Sequence, residues 1–317
     1  MVTGILKTLL INKLPRSVKA GLRPAYRYGL GVRYKRFLVR LQTQPENLLI
    51  LSTIARSGTH YAMFLFANYL KLITGNSDGP ATPEEMNTML PNVWHKAYLG
   101  GRPFGHSGTR GYREPTPYLA HLGLHDITRA HYEYMPSYWG RSPILHLYRN
   151  PFDYAVSIYH YKFKHMGDFP MGEEQGVASA VAGPADALDI RFDDYVKMYL
   201  SYRSAARGLR SQLLRISYED LRRYPEACLR MIIRWLGREP EPSQIQTAVY
   251  YSSIKTVNQL EGAGGLIHPD RIDPKIKFAR DGSIGQWKEY FTNKEVTHFK
   301  KRFADVDIDL DEFTLDS

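Results

Sequence analysis

At 317 residues and 43% hydrophobic content the chain can bury one large core, and it holds no apolar run of about 18 residues that would span a membrane. Its one cysteine, Cys228, excludes an intrachain disulfide framework and favours a reducing, cytoplasmic setting. The net charge of +10 sits at one end: residues 1–45 carry ten Lys or Arg and no Asp or Glu, leaving 32 basic against 32 acidic groups elsewhere. A neutral body argues against nucleic acid as a partner.

In chain order, residues 1–45 form a basic arm expected as two helical pieces. Ile5, Leu6, Leu9, Leu10 and Leu14 fall at helical spacing before Pro15, and Leu30, Tyr34, Phe37, Leu38 and Leu41 do so after Pro24. Arg33, Arg36 and Arg40 line another face, a pattern that suits peripheral attachment to an anionic membrane surface or a helix pair packed on the body. The stretch Gly4–Ile11, interrupted by Lys7 and followed by no small-residue cleavage site, does not read as a signal peptide. Residues 46–317 read as a single domain. Leu48–Leu51 is a buried parallel strand, and Met63, Phe66, Ala67 and Leu70 mark the helix after it. A second strand is expected at Ile144–Tyr148 with a helix from about Asp153, and a third at Leu213–Ile216 before a helix over Tyr224–Leu236. Segments 75–117 and 163–190, rich in Gly, Pro and small residues, read as long loops. Alternating strands and helices make this an α/β fold with a central parallel sheet flanked by helices.

Two segments carry phosphate chemistry. Between the first strand and its helix lies Ser52-Thr53-Ile54-Ala55-Arg56-Ser57-Gly58-Thr59-His60-Tyr61. A phosphate needs converging N–H groups, a helix N-terminus and a fixed cation, and this loop offers all three. It lacks the G-x-x-x-x-G-K-[ST] pattern of nucleoside triphosphatases. The second segment, Arg149-Asn150-Pro151-Phe152-Asp153-Tyr154-Ala155-Val156-Ser157, places an Arg at a strand's C-terminal end, where open α/β sheets bind ligands. Read without other knowledge, each is equally a capped helix start with surface polar residues.

Together these segments resemble the family of sulfotransferases that use 3′-phosphoadenosine 5′-phosphosulfate (PAPS), with its P-loop-like fold. That family's loop over the 5′-phosphosulfate reads approximately Lys-Ser-Gly-Thr-Thr-Trp, matched here by Arg56-Ser57-Gly58-Thr59-His60-Tyr61. Its 3′-phosphate motif is matched at Arg149, Asn150, Asp153, Val156 and Ser157. Its Tyr-Glu-Asp segment resembles Tyr218-Glu219-Asp220-Leu221 with Pro225 and Trp235-Leu236-Gly237, and its late loop resembles Phe278–Lys288 with Arg280 and Gly282. The resemblance implies a cofactor set of Arg56, Ser57, Gly58, Thr59, His60, Tyr61, Arg149, Ser157, Tyr218, Ser252, Arg280 and Gly282, and no metal.

This chain departs from the pattern in several places. Arg56 stands for the loop Lys, Tyr61 for a stacking Trp, and Asp281 for the second cation of the late loop. The family's dimer signature keeps Lys288 and Thr292 but is broken at Asn293 and Thr297, so that dimer is not expected. The family's basic His aligns best with His121 in Leu119-Ala120-His121-Leu122-Gly123, with His125 as rival and Glu114 as the carboxylate alternative. The implied mechanism is direct in-line transfer of the sulfuryl group to an acceptor hydroxyl. His121 would take the proton, Arg56 would stabilise the transferring group, and Arg149, Ser157 and Arg280 would hold the 3′-phosphate. The acceptor class stays open among glycan, lipid and small alcohol, with Arg102, His106, Arg110 and Arg113 clustered in one loop. Two rival readings are a nucleotide kinase, against which the absent Lys-[ST] pair argues, and a membrane-surface adaptor, against which Arg149 and Ser157 argue.

Overall fold

The structure is a computed structural model that describes residues 48–76, 78–90, 117–124, 126–131, 133–134, 142–161, 181–262 and 282–313. The basic arm, the Arg102–Arg113 cluster, Glu114, His125 and Arg280 lie outside the described residues.

The centre is a sheet of parallel strands in the order β2-β1-β3-β4, comprising β1 (Leu48–Thr53), β2 (Asp126–Ala130), β3 (Ile144–Tyr148) and β4 (Leu213–Ser217). Alternation along β1 divides the core. Leu49 and Leu51 face α1 (Thr59–Ile73), α2 (Pro83–Met89), the single turn α3 (Pro117–Ala120), α7 (Pro225–Trp235) and α8 (Pro242–Tyr251). Ile50 faces the other way, onto α4 (Pro151–Ile158), α5 (Pro184–Ala206) and α10 (Asn293–Ala304). Helices therefore cover both faces, as parallel sheets require. Two further helices, α6 (Tyr218–Arg223) and α9 (Ile254–Gly262), add Leu221 and Val257 to the first of these cores, and short 3₁₀ turns occupy Gln286–Glu289 and Leu310–Phe313.

Three strands fall where the apolar runs placed them, and β2 was not anticipated. Its sequence, Asp-Ile-Thr-Arg-Ala, holds three polar residues and no continuous apolar run, and among the described strands it pairs with β1 alone. The 75–117 segment is not all loop: Thr82 and Glu85 form a reciprocal capping box that starts α2. Helix α5 likewise begins inside the 163–190 segment, at Pro184. The helix expected over Tyr224–Leu236 is observed as α7, with Pro225 at its first position starting it directly after α6. Among the described residues no helix is long and apolar enough to cross a membrane.

Candidate functional site

At the C-terminal edge of the sheet, β1 runs into a tight turn that delivers α1. Arg56 (φ 68°) and Gly58 (φ 87°) both adopt left-handed backbone, and Gly58 caps α1 without any side-chain hydrogen bond. A left-handed non-glycine residue costs about 1–2 kcal/mol, strain of the sort stored where function needs a shape. The N-terminus of α1 keeps its amide dipoles available for an anion. Ser57 is wholly buried and its hydroxyl has no hydrogen-bond partner. Gly58 has no room for a side chain: a Cβ there would sit 2.6 Å from Cδ2 of Tyr218.

Arg149 leaves the end of β3, and Asn150 caps α4 by accepting the N–H of Phe152 at 2.9 Å, with Pro151 at the first helical position. The Arg149 guanidinium lies 4.3 Å above the Tyr218 ring. It donates from Nη1 to the Arg56 carbonyl (3.3 Å) and from Nη2 to the Ser283 carbonyl (3.1 Å), while Nε is buried without a partner. Ser157, on α4, accepts from Nε of Arg56 at 3.3 Å, and the Arg56 guanidinium lies 4.2 Å from the centre of the Tyr161 ring. Asp153 ties the late loop to α4 by accepting N–H bonds from Gly285 (2.7 Å) and Trp287 (3.1 Å). Tyr218 Oη and Arg222 Nε both donate to the Gly282 carbonyl, at 3.1 and 3.2 Å. Burial pushes the Tyr61 phenol up, a shift opposed by Arg222, whose guanidinium lies 4.9 Å from the Tyr61 ring centre. Beneath these groups Glu219 accepts the Asn150 N–H at 3.0 Å. Burial lifts its carboxyl to about 7 against the pull of the backbone N–H bonds and Arg149.

The fold thus gathers Arg56, Ser57, Gly58, Thr59, Tyr61, Arg149, Ser157, Tyr218 and Gly282 at one edge of the sheet. His60 lies in the first turn of α1, half-buried. Ser252 is placed differently from its expected role. It is fully buried, donates to the Ala248 carbonyl (2.7 Å) and accepts from Nδ2 of Asn68 (2.9 Å), so its hydroxyl joins α8 to α1. The contact this segment makes at the site comes from Ile254, against which any Cβ at Gly282 would collide.

The base expectation needs correction. His121 is an exposed residue in the turn after α3, five positions before β2 begins, so it enters the sheet at the N-terminal end. The loops Arg56–Tyr61 and Arg149–Ser157 are at the other end. His131 directly follows β2 and lies at the loop edge. Its Nδ1 is 2.8 Å from the Thr53 carbonyl and 2.9 Å from Thr53 Oγ1, which in turn is 2.7 Å from Oγ1 of Thr59. A carbonyl only accepts, so Nδ1 carries the proton, and in the neutral ring Nε2 is the basic nitrogen. The available signal was positional: a His one residue past a strand whose ladder aligns with β1. It was hidden by the polar texture of β2.

A family model described as "Sulfotransferase domain" matches residues 120–310, more than half of the chain. A Rattus norvegicus protein named sulfotransferase 2A6 is 23% identical over 269 residues, covering 82% of this chain and 84% of its own. The 3-beta-hydroxysteroid sulfotransferase of Cavia porcellus is 23% identical over 215 residues, covering 67% of this chain and 70% of its own. Among solved structures, mouse sulfotransferase SULT7A1 complexed with PAP superposes with a TM-score of 0.56 at 17% identity, over 85% of this chain and 86% of that one. Retinol dehydratase in complex with androsterone and the inactive cofactor PAP gives 0.55 at 16% identity, over 83% and 80%.

Proposed function

Because the chain belongs to the sulfotransferase family, we propose that it draws its sulfuryl group from PAPS and that His131, rather than His121, activates the acceptor hydroxyl. The observation that carries this reading is the convergence on Arg149: its guanidinium touches the 52–61 loop through Arg56, the late loop through Ser283 and the Tyr218 ring at once. The orphaned Ser57 hydroxyl and the orphaned Arg149 Nε fit a phosphate-bearing nucleotide.

Bound PAPS supplies the sulfuryl group; the chain supplies placement and proton handling. Arg56, fixed by Ser157 and the Tyr161 ring, presents a cation that no working pH neutralises, where charge gathers on the bridging oxygen. Arg149 and Ser157 hold the nucleotide's 3′-phosphate. His131, oriented by the Thr53 carbonyl, takes the alcohol proton at Nε2. With PAPS bound, transfer would be in-line, the acceptor oxygen entering opposite the departing phosphate. The acceptor is an alcohol. The steroid and retinoid names of the relatives make hydroxysteroids and retinol the first to assay, with glycans and lipids next.

The test is transfer of ³⁵S from labelled PAPS to that panel by wild type, His131→Ala and His121→Ala. Wild type and His121→Ala should label an acceptor, and His131→Ala should lose about a hundredfold or more in turnover with unchanged nucleotide affinity. An active His131→Ala beside an inactive His121→Ala would restore the sequence-based assignment.

A further inference from the structure

Arg222 belongs to no motif in the sequence, yet it touches three of them. One helical turn beyond Tyr218 on α6, it shares the Gly282 carbonyl with the Tyr218 hydroxyl and lies over the Tyr61 ring. A Cβ built on Gly282 would stand 3.3 Å from Nη2 of Arg222, so the outer edge of the guanidinium closes on that glycine beside Ile254. Arg149 has the matching position on the next residue, with Nη2 on the Ser283 carbonyl and its guanidinium over Tyr218. Two guanidiniums, each backed by an aromatic ring, therefore grip consecutive carbonyls of one loop. No carboxylate among the described residues forms an ion pair with either. Two cations drawn to one stretch of backbone repel unless an anion joins them. The chain's own charge next to Gly282 has the wrong sign, since the preceding residue is Asp281.

We propose that Arg222 supplies, from α6, the cation that the late loop lacks, and that with Arg149 it binds the 3′-phosphate of the nucleotide. The proposal rests on the PAPS reading above and adds a binding residue to it. Arg222 also explains why Tyr61 is tolerated at its position: its ring carries the guanidinium that faces Gly282.

The experiment compares two probes, 3′-phosphoadenosine 5′-phosphate (PAP) and adenosine 5′-monophosphate, which lacks the 3′-phosphate. Both are titrated calorimetrically into wild type, Arg222→Gln and Arg222→Lys, with unfolding curves for each protein. Arg222→Gln should weaken PAP about tenfold or more, the scale of a lost charge-assisted contact, while the monophosphate changes by less than about twofold. Arg222→Lys should keep most of the preference for PAP, and Asp281→Lys should restore it in the Arg222→Gln background. Equal weakening of both nucleotides would overturn the proposal and leave Arg222 a loop clasp, as would unchanged binding of both. If wild type ignored PAP altogether, the PAPS reading would fall and the proposal with it, an outcome distinct from either.

Discussion

Gly58→Ala tests the site through a contact that no ligand is needed to see. The backbone at Gly58 has φ 87°, which costs an alanine about 1–2 kcal/mol. The new Cβ would meet Cδ2 of Tyr218 at 2.6 Å and Cε2 at 3.0 Å, so the Tyr218 ring must shift. Forced repacking of this kind costs about 1–3 kcal/mol, giving a total destabilisation of about 2–5 kcal/mol. The shift also removes the platform under Arg149 and pulls the Tyr218 hydroxyl off the Gly282 carbonyl. With a cation–π contact at about 1 kcal/mol and a hydrogen bond at about 1 kcal/mol, PAP affinity should fall about thirtyfold. Gly75→Ala is the matched control: its φ is 82°, and nothing lies within 4 Å of a Cβ there. That variant should lose only the backbone strain and keep its affinity. Urea unfolding and PAP calorimetry on both proteins decide the matter. A Gly58→Ala protein that unfolds like Gly75→Ala and binds PAP like wild type would refute the reasoning.

Two buried titratable groups should tilt stability in opposite directions with pH. His146 is fully buried, stacked 4.1 Å from Tyr202, with both ring nitrogens unpartnered; burial and then Arg215 hold its pKa well below 6.5. The unfolded chain protonates below about 6.5 while burial resists it in the folded one, so stability falls as pH drops below that value. His146→Phe keeps the stack and should flatten that loss in urea titrations; curves parallel to wild type would contradict it. Glu219, raised to about 7, has the reverse sign: the folded state keeps its proton while the unfolded state releases it from about 4.5 upward. Wild type should therefore lose about 3 kcal/mol relative to Glu219→Gln as pH rises from 4.5 through 7, and a constant difference across that window would remove the assignment.

The legibility of this fold tracked burial. β1 opens on a continuous apolar run and β3 is apolar apart from the buried His146, so they and the loops they end in, Arg56–Tyr61 and Arg149–Ser157, stood out. β2 carries Asp126, Thr128 and Arg129 along a margin, which erased its signal and with it the position of His131 at the strand's end. Helix α5 did have a readable stripe, since Leu188, Phe192, Tyr195, Tyr199 and Tyr202 recur at helical spacing and are all buried. Its tyrosine hydroxyls and flanking charges disguised it. The surroundings of Ser252 and Arg222 are ones no spacing reveals. A hydroxyl at the end of α8 meets Asn68 of α1, and only the folded position of α6 brings Arg222 to Gly282.

The central claim is that the edge of the sheet around Arg149 holds the 3′-phosphate of PAPS. Calorimetric titration of PAP into wild type and Arg149→Ala tests it most directly, because PAP shares that phosphate and requires no acceptor. Saturable binding at one site in wild type, weakened about tenfold to a hundredfold or more in Arg149→Ala, is the predicted result. Equal affinity of the two proteins for PAP would contradict the account.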